Sequence, residues 1–166
     1  MTWETIDRYL KQVSAATSIN RANLVLIRYG QDGKAGIVIT AENCDSGYLK
    51  PDAGYSSKIN LYQVQNAVTG TVIARWGLYE FPSCCAFCVS TQAFVDPSYR
   101  HKGVNKLSNT LRQDIARDLD YAALICTDIK TNTPERETLK ANGFTDIYEI
   151  RNKRTRNDVV ISVKAL

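Results

Sequence analysis

Apolar residues at the start of the chain recur at helical spacing, with Trp3, Ile6, Leu10 and Val13 on one stripe. That period predicts an amphipathic helix ending near Val13. Two short apolar runs follow, Asn23 to Tyr29 and Gly36 to Thr40, and the intervening Gln31-Asp32-Gly33-Lys34 holds an Asp-Gly pair suited to a tight turn. They read as a hairpin. From Glu42 to Ser57 the chain is rich in Gly, Pro, Asp and Ser, the composition of a loop that could move over a site. A meander of three antiparallel strands comes next, at Ile59 to Gln65, Thr71 to Phe81 and Cys84 to Val95.

After Asp96-Pro97 the period switches from two to 3.6. Val104, Leu107, Leu111, Ile115 and Leu119 form one stripe, with Lys106, Arg112, Asp114 and Arg117 away from it. The short uncharged run Ala122 to Cys126 then suits a strand buried on both faces and parallel to its neighbour, so a strand, helix, strand unit spans residues 84 to 127. Thr133 offers an N-cap, Pro134 fits the first helical position, Glu135 favours the positive helix end, and Gly143 suits a left-handed C-cap. Two closing strands, Thr145 to Arg151 and Asp158 to Lys164, complete one domain over residues 1-166.

Composition narrows the class without naming a function. With 166 residues, 44% of them hydrophobic and 23% charged, the chain is long enough for one core and too apolar for wholesale disorder. No run approaches the roughly 20 apolar residues of a membrane span, and Glu4, Asp7, Arg8 and Lys11 interrupt any signal-peptide core, which predicts a soluble cytoplasmic protein without a membrane partner. The five cysteines have no framework spacing, and Cys85 and Cys88, three apart on a strand, would face opposite ways. Buried thiols are therefore expected, and no metal site. Arg151, Lys153, Arg154 and Arg156 concentrate positive charge in a hairpin tip, either to meet an anionic partner or as a solvated turn.

Chemistry concentrates in Arg100-His101-Lys102-Gly103-Val104-Asn105, between a strand and the clearest helix. A helix's first turn leaves backbone N–H groups unpartnered and carries partial positive charge, so it attracts anions; Gly103 permits close backbone approach. The segment resembles the signature Arg/Gln-x-x-Gly-x-Gly/Ala of the GNAT N-acyltransferase superfamily, with Val95 as the hydrophobic residue that ends the preceding strand. Asn132, eleven residues before Gly143-Phe144, matches that family's spacing around its last helix. The resemblance covers the last two thirds of the chain and fits residues 1-57 less clearly.

The resemblance implies an α/β (α+β) fold: a mixed, mostly antiparallel twisted sheet with a splayed central parallel strand pair and flanking helices. It implies acetyl-CoA or another acyl-CoA as cofactor, held by Ala93, Val95, Arg100, His101, Lys102, Gly103, Val104, Asn105 and Asn132. The amide near Ala93 would polarise the thioester carbonyl while an acceptor amine attacks directly. Asn105 departs from the small final residue of the signature, Leu139 replaces the usual tyrosine acid, and Val89 stands where some members carry a glutamate base. Asp128 and Glu80 are then the candidates for acid and base, and Trp76, Tyr79 and Arg154 for acceptor contacts. The acceptor is an amine, with an anionic molecule or nucleic acid suggested by analogy with phage DNA-modifying relatives, and a homodimer is compatible. The competing expectation is a GNAT-like module that binds CoA without catalysis.

Overall fold

In the computed structural model, residues 1–29, 36–44 and 60–166 are described. The Asp32-Gly33 turn and most of the expected loop up to Ser57 lie outside them. Helix α1 spans Trp3–Thr17, a turn longer than the apolar stripe suggested. No breaker follows Val13, so the helix runs on until Ser18 adopts φ 61° and donates its N–H to the Ser14 carbonyl at 2.8 Å, a left-handed cap.

The strands are β1 (Leu24–Tyr29), β2 (Ile37–Val38), β3 (Asn60–Asn66), β4 (Val72–Glu80), β5 (Phe87–Val95), β6 (Ala123–Ile129), β7 (Thr145–Arg151) and β8 (Asp158–Ala165), with helices α2 (Val104–Asp118) and α3 (Thr133–Ala141) between them. They form one sheet in the order β2-β1-β3-β4-β5-β6-β8-β7. Every pairing is antiparallel except β5 with β6. The chain is thus a mixed α/β fold built on a mostly antiparallel sheet with one parallel pair, which the helical connection through α2 makes possible.

One face of this sheet carries the helices. Tyr62 and Trp76 stack there at 5.8 Å, Tyr9 of α1 meets Trp76 edge-on, and the Tyr9 hydroxyl lies 2.9 Å from Ser108 Oγ on α2. A single row of paired residues crosses beneath α2: Leu78, Ser90, Cys126 and Ser162. Because side chains alternate, their neighbours Tyr79, Ile125 and Ile161 point to the less covered face and are only partly buried. On that face of β6 Ala123 is buried, Ile125 partly buried and Thr127 and Ile129 exposed, so the expected burial on two faces holds at the start of the strand and is lost towards its end.

Three further expectations change. Strand β5 starts at Phe87, because Phe81 N–H closes on the Phe87 carbonyl and Ser83 takes φ 62°, making residues 82 to 86 a turn. Cys84 is therefore half-buried and Cys85 exposed, while Cys44, Cys88 and Cys126 are buried. Arg112, expected on the outer face of α2, is only 1% exposed, since α2 is covered by α1, α3 and the sheet together and buries Ser108, Asn109 and Gln113 as well. Asn132, not Thr133, is the N-cap of α3.

Candidate functional site

The site originates in an irregularity of β5. Arg75 pairs with Phe94 and Gly77 with Thr91, so Gln92 and Ala93 together stand opposite Trp76. Gln92 adopts φ 53°, the left-handed region. A bulge of this kind bends its strand, and β5 departs from β6 at that point: they pair from Phe87 with Ala123 through Ser90 with Cys126 and no further, although β6 continues to Ile129. The backbone of β5 from Thr91 to Val95 has no β6 partner among the described residues. It is an exposed sheet edge within the interior of the sheet, able to pair with an extended ligand.

At the end of this edge the chain turns into α2. Asp96 Oδ1 accepts from Ser98 N at 2.9 Å, Arg100 Nε donates to the Val95 carbonyl at 3.0 Å, and Lys102 Nζ lies 5.5 Å from the Tyr99 ring. His101 and Gly103 take φ 60° and 80°, and Gly103 is the N-cap of α2. A Cβ on Gly103 would meet nothing within 4 Å, so conformation rather than crowding accounts for the glycine.

These elements enclose a groove of about 700 Å³. Ala93 and Val95 form one wall, Arg100, His101, Gly103, Val104 and Asn105 the glycine-loop end, and Asn132 the start of α3. Of the residues expected to hold a cofactor, Lys102 alone is outside the lining. Across the groove, Asn105 Nδ2 donates to Glu135 Oε2. Glu135 is half-buried, and Glu137, also in the lining, is exposed.

The polar groups along β5, β6 and α2, none of them in the groove lining, are unequal. Asp128 Oδ1 accepts from Ile129 N at 2.9 Å and from Asn132 Nδ2 at 3.0 Å, and its Oδ2 is buried without a partner. Burial holds its carboxyl above the usual range. Arg112 donates to Ser90 Oγ at 2.7 Å and to the Ser108 carbonyl at 3.3 Å, and its buried Nη2 has no partner. Burial pushes the Cys126 thiol up to about 11 and Cys88 up to about 12, so both are protonated at neutral pH and unsuited to nucleophilic attack. No cluster of three metal-ligating side chains occurs among the described residues.

Four expected site residues, Trp76, Glu80, Tyr79 and Arg154, lie outside the groove lining. Trp76 is fully buried between Tyr9 and Tyr62, so it is a core residue and cannot touch an acceptor. Glu80 accepts from Tyr121 OH at 3.1 Å and pairs with Cys88, at the closed end of β5, far from the groove. Tyr79, half-buried opposite Val89, and Arg154, exposed on the β7–β8 tip, lie outside the groove lining. Leu139 is buried, so no side chain from that position reaches the groove. The sequence reading missed Gln92, Glu135 and Arg112. Gln92 gives no signal, because glutamine does not mark a left-handed bulge, and Glu135 signals only a favourable charge at a helix start.

No family model matches the chain, and no curated protein matches it in sequence. Solved structures do match. A Salmonella typhimurium protein assigned as an acetyltransferase, solved with its cofactor acetyl-CoA, superposes with a TM-score of 0.56 at 14% identity over 65% of this chain and 65% of its own. The ribosomal-protein-S5-alanine acetyltransferase of Vibrio fischeri gives 0.57 at 14% identity over 64% and 61%, and a GNAT-family acetyltransferase of Bacillus anthracis gives 0.54 at 11% over 63% and 65%. The chain has the GNAT fold. It spans under two thirds of the length of each of these three proteins. In the GNAT fold of this chain, the parallel pair that splays is β5 and β6, and the helix opening at the glycine loop is α2.

Proposed function

We propose that the protein is an N-acyltransferase that uses acetyl-CoA or another acyl-CoA. The observation that carries this reading is the open β5 edge from Thr91 to Val95 running directly into the α2 N-terminus along one groove. An extended amide-bearing arm would find backbone partners on the edge, and a pyrophosphate would find the unpartnered N–H groups of the first α2 turn, with Arg100 and His101 beside it. Acyl-CoA supplies a thioester carbonyl. The backbone amides at the bulge near Ala93 would polarise it as charge develops on its oxygen.

The chain's own contribution to proton transfer falls to Asp128. Its buried Oδ2 has no partner and its carboxyl titrates above the usual range, which suits a group that takes a proton from the acceptor ammonium at Oδ2. Asn132 fixes the other oxygen. The basic β7–β8 tip, with Arg151, Lys153, Arg154 and Arg156 all exposed, favours an anionic acceptor such as a nucleotide or nucleic acid. The second reading, a module that binds CoA without turnover, draws on Leu139 and Val89, which stand where the resemblance would place a phenol acid and a glutamate base.

Incubation with radiolabelled acetyl-CoA and a panel of amines, peptides and DNA tests the choice. Label is expected on at least one acceptor class, with a preference for anionic ones. Tight CoA binding with transfer to none of them would replace the enzyme by the binding module.

A further inference from the structure

The residues of the groove fit a CoA pyrophosphate with one exception. Glu135 places a carboxylate against the loop that should receive an anion: it sits in the first turn of α3, half-buried, and Asn105 in the first turn of α2 donates directly to it. Glu137 carries the same charge into the same lining, yet it is exposed and bonds to no loop residue. The buried Arg112, whose Nη2 has no partner, is close enough to feel the Glu135 charge but forms no ion pair with it. Glu135 is therefore held directly by a neutral amide at the anion end of the groove, with the Arg112 charge nearby but no ion pair to it among the described residues.

We propose that Glu135 is a specificity-determining residue of this groove: its carboxylate, tied to Asn105, opposes any pyrophosphate placed at the α2 N-terminus. The inference rests on the groove being the acyl-CoA site. Its consequence is selectivity. A nucleotide offering only a pyrophosphate has only the α2 N–H groups and the loop cations to set against the repulsion, whereas CoA also gains from pairing along Thr91 to Val95 and so tolerates it. The same repulsion lowers the affinity for the CoA product.

Calorimetric titration of CoA, ADP and pantetheine separates the possibilities. Glu135→Gln keeps an acceptor for the Asn105 amide and removes only the charge, so it is expected to bind CoA and ADP about tenfold more tightly at low salt, as for like charges a few ångströms apart in a half-exposed site, with pantetheine unchanged. Glu137→Gln is expected to change each affinity by less than about twofold, since an exposed charge is screened. If Glu135→Gln binds CoA and ADP no more tightly, or gains equally for pantetheine, the proposal is overturned while the groove remains the CoA site. Gly103→Glu reports on the groove itself: unchanged CoA affinity there removes both readings together.

Discussion

The two ends of β5 do opposite things. From Phe87 to Ser90 the strand is paired on both sides and its inward side chains are buried, with Cys88 fully enclosed and Ser90 gripped by Arg112. From Thr91 to Val95 it keeps β4 and loses β6, and its backbone lines a groove. The bulge at Gln92 and Ala93 separates them. A closed ladder stabilises the fold by satisfying backbone groups internally, and an opened one offers the same groups to a ligand. One strand thus anchors a site rigidly at one end and presents it at the other.

The contrast predicts that changes at the closed end cost stability and changes at the open end cost binding. Leu124→Ala, which empties a fully buried position opposite Cys88, should lower unfolding free energy by about 3 kcal/mol in urea titrations. CoA affinity in the remaining folded protein should be unaffected, and a large parallel loss of affinity would mean that the two ends are not separable. Gly103→Glu should behave inversely. It places bulk and negative charge at the α2 N-terminus and a non-glycine residue at φ 80°, so CoA binding should fall about 100-fold while stability drops by only about 1 kcal/mol.

The smallest stability effect is expected at Asp128, and its sign is the opposite. Burial raises its folded-state pKa above the ordinary 3.8, so the ionised form is disfavoured in the folded protein, and the penalty is present at neutral pH. Asp128→Asn should therefore raise the Tm slightly at pH 7. The difference should close as pH falls through the raised pKa and below 3.8, where the wild-type carboxyl is protonated in both states. The same variant should lower kcat by roughly 100-fold if Asp128 takes the acceptor proton. A Tm gain without loss of turnover would leave Asp128 as a capping carboxylate of the β6–α3 connection.

Much of this architecture was legible along the chain. The stripes of Ile6, Leu10 and Val13 and of Leu111 and Ile115 placed two helices on the sheet, and the uncharged run ending at Cys126 marked the strand that pairs in parallel with β5. The glycine turn from β5 into α2 was legible too, because Gly103 between a strand and a helical stripe marks a left-handed start to the helix. Trp76 and Arg112 were misjudged for one reason. Sequence shows which face of an element a residue occupies only after the number of neighbours on each face is known. Trp76 points to the face that α1 covers, and α2 is covered from three sides, so even an arginine is enclosed.

By itself, the sequence determined the order and kind of the elements and the place of the glycine turn before α2, since these follow from local periodicity and from the conformations open to glycine and proline. Tertiary structure alone decided where β5 and β6 part, that Glu80 lies at the closed end and Asp128 near the open one, and that Asn105 and Glu135, 30 positions apart, meet across the groove. Strand register and helix packing bring distant residues to one point. No local pattern records that distance, because the free energy that fixes it comes from the whole core at once.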